Sequence, residues 1–339
     1  LDMPRGSLIF DEKYYVNVAR ILLWLPHDPD VYVGAPLGVD TVNREHPLLA
    51  KLIIALSIKV FGDNAWGWRI PSVVFGMASL LIFYLLMKRV SKSPRLALLA
   101  SFLFSFDNLV FVHSRVATLD IFVLAFMLLG FYWYFQDRMD LSAFALALST
   151  LSKIGGLYGF ATVVAYHFLH DVHEIEQPEK GRGKKPRKRE LSWYEKLRIA
   201  VRKVFTKEKF RWFERFLIVY ALSSLILMFV MSRVWAGYSN PIDHIIYIYN
   251  YTLGLTRPAP LGIESYPWQW LLNEVQIPYL KVNVTVSANG YEVSSYATIF
   301  FVGAMNPFII FLAIPAVVYQ AYLWKHHRKP YSLLLLAWF

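Results

Sequence analysis

The 339-residue chain contains no cysteine. Disulfides, thiolate nucleophiles and cysteine-ligated metal sites are therefore excluded. Charge is scarce too: 17% of the residues are Asp, Glu, Lys or Arg, against about 25% in soluble domains. With 56% hydrophobic and 17% aromatic residues and a mean hydropathy of +0.39, the chain is not the pair of soluble domains that its length alone would suggest. A basic field over the whole surface is also missing. The formal charge is +11, but the segment from Lys180 to Arg215 holds 15 of the 35 Lys/Arg and only 4 of the 24 Asp/Glu, a net of +11, and leaves 20 of each sign elsewhere. Its centre (GRGKKPRKRE) has Gly and Pro punctuation, no interleaved aromatics and no recognised module, so no nucleic-acid partner is expected. It reads as a flexible loop drawn to anionic lipid headgroups, at about 1 kcal/mol per basic residue.

Long uncharged runs make up much of the rest. Ile70–Met87, Ile121–Gln136, Phe216–Ser232 and Val293–Trp324 carry no charge, Leu96–Val112 is interrupted only by Asp107, and Leu141–Leu169 only by Lys153. Runs of about 20 residues are what a bilayer core demands of a helix. The expected fold class is an all-α polytopic membrane protein. Placing the Lys/Arg-rich connections in the cytoplasm gives one zigzag. An external segment, 8–65, precedes helices within 66–170. A basic cytoplasmic loop follows at 171–211, then a span at 212–234, an external loop at 235–297 and helices over 298–339. Residues 48–62 suit a helix lying in the outer interface. The external loop carries the sequons Asn250-Tyr-Thr252 and Asn283-Val-Thr285, weak support for that side. Leu1 and the nine-residue apolar run from Tyr331 to Phe339 suggest a fragment at both ends.

In that topology the ionisable residues near spans collect at the outer boundary: Asp11, Glu12, Glu45, His46, Lys51, Arg69, Asp107, Arg115, Asp120 and Lys153. Intramembrane charge is costly and invites a functional reading. Acids and cations at one membrane edge suit a reaction between a lipid-borne phosphate and a water-side acceptor. A transporter would instead carry charged or broken helices at matched midplane positions of two repeats, and no such repeat is visible. Taken singly, each group has a plainer reading. Asp11-Glu12 fits a dipole-favoured helix start, and Arg69 and Lys153 fit snorkelling anchors. Trp66, Trp68, Trp268 and Trp270 fit an interfacial belt.

Taken in order, these residues resemble the protein O-mannosyltransferase family. Phe10-Asp11-Glu12 followed by Glu45-His46-Pro47-Leu48-Leu49-Ala50-Lys51 is similar to its FDE … HPPLxK pair. Arg69-Ile-Pro-Ser72 opens a span as the family's arginine does. Asp107-Asn108 with Ser114-Arg115-Val-Ala-Thr-Leu119-Asp120 resembles E/D-N … SRxxxLD, and Ser152-Lys153-Ile-Gly-Gly156 resembles SKxxG. Tyr266-Pro267-Trp268-Gln-Trp270 and Gly303-Ala-Met-Asn306-Pro307 resemble SxPWxW and GNP. There are departures. Leu48 replaces the second proline, Arg44 stands where family members carry an acid, and the glycine of GNP is displaced to Gly303.

The resemblance implies a GT-C-type transmembrane helical bundle of the compact prokaryotic or archaeal kind. It also implies an inverting enzyme that moves mannose from a polyprenyl (dolichyl) phosphate to Ser/Thr hydroxyls of proteins on the extracytoplasmic face. A lipid or glycan acceptor, or a different sugar, is the alternative. Asp11 is then the base and Glu12 its neighbour that holds the acceptor or orients the site. Arg69, Lys153 and Arg115 are the donor-phosphate candidates, since a guanidinium matches two phosphate oxygens. Arg69 and Lys153 lead, and Arg115 is expected to pair with Asp120. Glu45, His46, Lys51 and Asp120 are assigned to sugar, acceptor or structure. Asp11, Glu12 and His46 are ligand types without diagnostic spacing. The family implies metal-independent catalysis, so neither metal nor cofactor is expected. Homo- or hetero-oligomerisation stays open.

Overall fold

The computed structural model describes residues 8–32, 43–169, 202, 204–234, 240–254, 268–269, 272–274, 277–288, 291–304, 306–327 and 332. Most of the basic loop, most of the Tyr266–Trp270 motif and most of 331–339 lie outside the described residues.

Helices dominate, and their ends follow from sequence. A short helix α1 (Glu12–Leu22) and helix α2 (Leu49–Phe61) precede the long α3 (Ala65–Ser91). Asn64 caps α3 by accepting from the amides of Trp66 and Gly67, and Lys92 ends it in the left-handed region at φ 55°. Pro94 opens α4 (Pro94–Ser105), whose cap Ser93 accepts from Leu96. The run from Leu96 to Val112 then breaks, because Asp107 takes the amide of Val110 and starts α5 (Asn108–His113). There follow α6 (Asp120–Tyr134), α7 (Met139–Ser152), a 3-10 turn Ile154–Gly156, α8 (Leu157–Leu169), α9 (Lys207–Val234) and α10 (Pro241–Leu253). Helix α11 (Pro307–Tyr322) is capped by Asn306 and runs into a π-helical turn, Leu323–His327.

Among the described residues three stretches are long and apolar enough to cross a bilayer: Ala65–Ser91, Lys207–Arg233 and Pro307–His326. At 1.5 Å per residue the 27-residue α3 reaches about 40 Å. Helices α4, α6, α7 and α8 are apolar but shorter. The packed centre lies where α3, α6, α7, α8 and α9 meet, around Val123, Met127, Phe131, Leu146, Val163 and Phe216. Small residues on α7 (Ala143, Ala147) let its neighbours close in, and Ser149 Oγ donates to the Val123 carbonyl at 2.8 Å. Such hydrogen bonds tie helices together where lipid supplies no hydrophobic drive.

Helices α1 and α2 pack on one end of this bundle. Tyr15, Val16 and Ala19 of α1 meet Ala50, Ile54 and Ile58 of α2, with Trp68, Ala117 and Phe122 below. That spacing is a helical stripe. The opposite chain end holds an addition to the expected helices. Strand β1 (Ile277–Ala288) pairs antiparallel with β2 (Tyr291–Gly303), with partners such as Val284 and Tyr296 and three register shifts. Residues 298–303, expected in the last helix, therefore belong to a strand. In β1 Val282, Val284 and Val286 alternate with Asn283, Thr285 and Ser287, the period of a pleated strand. The absence of charge after Val293 does not distinguish the two structures.

Candidate active site

The polar groups gather where α1, the 43–48 segment, the start of α6 and the end of α7 meet. Glu12 is their fixed point, with no solvent exposure. Its Oε1 accepts from Arg69 Nε at 2.7 Å and from the Ala117 amide at 2.8 Å. Its Oε2 accepts from an Arg69 terminal nitrogen at 2.6 Å and from the Ile9 amide at 2.9 Å. Both oxygens are thus saturated by a two-pronged guanidinium and two backbone donors, as a buried carboxylate requires. Glu12 ties α1, α3 and the approach to α6 together. It has no oxygen left for an acceptor, and Arg69, expected at the phosphate, is engaged in that tie.

Asp120 and Lys153 form a second, more open pair. Lys153 Nζ donates to Asp120 Oδ1 at 2.8 Å, with 31% of the lysine and 41% of the aspartate side chain exposed. Lys153 is the extended residue that ends α7 (φ −161°, ψ 144°). Gly156 secures that turn, since a Cβ there would lie 2.3 Å from Ser149 C and Thr150 N. On the other side of Asp120, His113 Nδ1 lies 3.6 Å from Oδ2 and 2.7 Å from Thr118 Oγ1. His113 Nε2 meets the Tyr279 hydroxyl at 2.9 Å. Burial lowers the basicity of His113, with the negative charge of Asp120 opposing. Burial also pushes the Tyr279 phenol up to about 12, and Asp120 and Asp11 add to the shift.

Tyr279 brings the hairpin over the site, because its ring lies 4.2 Å from that of Phe10. Phe10 adopts φ 50°, uncommon for a bulky residue and placed directly before Asp11. Asp11 occupies the cap position of α1, yet its side chain does not cap the helix. Burial raises its carboxyl to about 6. The positive charge of Lys153 works against that rise, and Asp120 works with it. The Asp11 carboxyl thus caps no helix and stands in the field of Lys153.

The 43–48 segment is braced from beneath. Lys51 is fully buried and donates to the carbonyls of Asn43 and His46, the latter at 3.0 Å. Asn43 Nδ2 donates to Glu45 Oε1. These contacts give Lys51 and Glu45 a structural task. The carbonyl of Arg44 accepts from His244 Nε2 of α10 at 2.8 Å, and its guanidinium lies over the Tyr247 ring at 4.9 Å. The His46 imidazole is neutral: burial, then Lys51 and Lys153, lower it to about 3. Its Nδ1 is buried without a hydrogen-bond partner among the described residues.

The structure therefore brings together Asp11, His46, Asp120 and Lys153 and diverts Glu12 and Arg69 into a tie. The expected Arg115–Asp120 pair does not form. Arg115 is exposed and its guanidinium lies 3.3 Å from the Phe111 ring centre, while Asp120 turns to Lys153 and His113. His113 and Tyr279 were not expected. His113 stood beside Ser114-Arg115 as a signal, but Tyr279, 166 positions further on, had none. Among the described residues no three His, Asp or Glu side chains converge as a metal site requires.

Residues 45–175 match the family described as dolichyl-phosphate-mannose-protein mannosyltransferase. Over this stretch the chain is similar to the protein O-mannosyltransferase family. Similar relatives are polyprenol-phosphate-mannose–protein mannosyltransferases of Mycolicibacterium smegmatis, 32% identical over 39% of this chain and 24% of that protein, and of Corynebacterium glutamicum, 30% identical over 40% and 26%. A Pseudomonas aeruginosa undecaprenyl phosphate-alpha-4-amino-4-deoxy-L-arabinose arabinosyl transferase is 32% identical over 33% of this chain and 23% of its own length. The chain thus spans about a quarter of the length of the curated relatives it matches. No solved structure gives a significant match. The matched stretch and the three candidate spans support a membrane protein of the expected helical fold class. The matched stretch contains Glu45, His46, Arg69, Asp120 and Lys153, and Asp11 precedes it.

Proposed function

We propose that the protein is a multi-pass, inverting glycosyltransferase that moves mannose from a polyprenyl phosphate to a Ser/Thr hydroxyl of a protein, with its site on the extracytoplasmic face. The observation that carries this reading is the Asp11 carboxyl, raised to about 6 in the field of Lys153. A base with a pKa near the working pH combines the right protonation state with proton affinity. The hydroxyl oxygen attacks the anomeric carbon opposite the phosphate, and its proton passes to Asp11. The bond from carbon to phosphate oxygen breaks, its electron pair stays on the phosphate, and the anomeric centre inverts. Lys153, partly exposed, and Arg115, at the surface, are the cations able to face that growing charge. The orientation rests on the basic connections, which the positive-inside rule puts opposite the site.

The test is transfer from polyprenyl-phosphate-mannose to a Ser/Thr peptide in proteoliposomes. Glycopeptide should form with the intact chain and vanish with Asp11→Asn, and full activity of that variant would overturn the base assignment. A second reading keeps the polyprenyl-phosphate donor but changes sugar or acceptor. Its support is the arabinosyl transferase relative and Arg44, turned towards Tyr247 where the family carries an acid. Mass spectrometry of products from competing donors and acceptors separates the two.

A further inference from the structure

The far ends of α6 and α7 enclose a second site. Asp120 and Tyr134 bound α6, and Lys153 and Asp140 lie at opposite ends of α7, so about 20 Å of helix separates it from Asp11's cluster. A cavity of about 770 Å³ opens there between the 134–141 turn and the ends of α8 and α9, within the roughly 300–1,000 Å³ of ligand pockets.

One wall is preformed and aromatic. His167 lies flat on Trp212, with centroids 3.6 Å apart and planes at 11°, and its Nδ1 meets the Tyr134 hydroxyl at 3.0 Å. Among the described residues the charges on the rim balance: Arg138 and Arg215 against Asp137 and Asp140. Arg215 pairs with Asp140 Oδ2 at 2.5 Å, both side chains being about half exposed or more. A simple anion would call for a surplus of arginine, and a simple cation for a surplus of acid. Equal numbers beside aromatic faces suit a zwitterion. Its ammonium can approach the exposed Oδ2 side of Asp140 and the exposed Asp137 and rest on the aromatic wall, and its phosphodiester can take the guanidinium forks.

The surroundings fix the source. Arg89 at the basic end of α3 donates to the Phe135 carbonyl at 3.0 Å in the same turn. Basic side chains with Trp and Tyr mark the headgroup level of a membrane protein. Leu141 and Phe144, both 39% exposed on one face of α7, continue the rim as apolar surface. We propose that this cavity holds the headgroup of an aminophospholipid, with its acyl chains along α7.

Native mass spectrometry of the full chain in non-ionic detergent tests this, with phosphatidylethanolamine, phosphatidylglycerol and soluble phosphoethanolamine offered separately. The aminophospholipid should be retained about tenfold over the glycerol lipid, as one charged hydrogen bond requires. Asp140→Asn and Arg138→Gln should remove that preference. Equal retention of both lipids, an unchanged preference in both variants, or soluble phosphoethanolamine bound as tightly as the lipid would each overturn the proposal. Lipid discrimination is read on the unmutated chain, so a variant that fails to fold leaves the test intact.

Discussion

Asp11 and Glu12 are adjacent carboxylates with opposite environments, and their variants should behave oppositely. Glu12 is buried, with both oxygens saturated by donors. Removing one partner of such a pair costs about 3–5 kcal/mol. Arg69→Ala strands the buried partner, whereas Glu12→Ala strands a guanidinium that is 27% exposed, so the arginine variant should melt lower in a thermal-shift measurement. Asp11 carries no such tie. Its folded pKa, about 6, lies above the ordinary 3.8, so the folded state holds its proton more tightly than the unfolded one. That contribution to stability is present at low pH and is lost as pH rises through about 6. Asp11→Asn should therefore abolish transfer at neutral pH while melting no lower than the parent, which a structural role would not allow. In the parent the rate should fall with acidity below about pH 6, as the base takes up its proton before meeting substrate. His46, lowered to about 3, stays neutral across that range and leaves the acid limb to Asp11.

Two contacts between elements decide whether those groups face one another. At Gly156 an added methyl would meet the backbone of Ser149 and Thr150 at 2.3 Å, and backbone cannot step aside as a flexible side chain can. Gly156→Ala should shift Lys153 off Asp120 and lower transfer at least as much as Lys153→Ala, with thermal stability measured alongside. The hairpin supplies the other contact. Tyr279→Phe keeps a ring for Phe10 but removes the hydroxyl from His113. Loss of one such bond is worth about 1 kcal/mol, so transfer should slow by about fivefold with the fold retained. Not all of these elements were legible beforehand. The charge-free runs marked the apolar helices, three of them long enough to cross a bilayer, and residue type with motif order singled out Asp11, Asp120 and Lys153. The hairpin hid inside a charge-free run, because an uncharged stretch serves strand or helix. Asp107 broke its run by capping, a local hydrogen bond that hydropathy ignores. The partners of Glu12 and His113 were hidden for another reason: contacts 57, 105 and 166 positions apart leave no trace in local spacing.

Across the whole molecule, α6 and α7 join two chemically different ends, a cluster of acids and cations at Asp120–Lys153 and an aromatic, charge-balanced cavity at Tyr134–Asp140. Since the parent contains no cysteine, single cysteines placed in the exposed parts of these ends can be labelled without background. Impermeant thiol reagent should reach a cysteine at Lys13 from the outside and one at Asp137 only after permeabilisation; the reverse pattern would invert the orientation. The Glu12 tie also has a consequence for biogenesis. Its donors come from residues 9, 69 and 117, and a carboxylate cannot leave water until they are present. During synthesis helix α1 must therefore wait, hydrated, while more than a hundred residues emerge behind it, and lock on only when the turn at 117 arrives. Ribosome-arrested chains ending before 117 should leave Glu12–Leu22 open to protease, and longer ones should protect it. Helix α1, with Asp11 at its start, is made before these partners and seated only after them, so the proposed site is not assembled until residue 117 is in place.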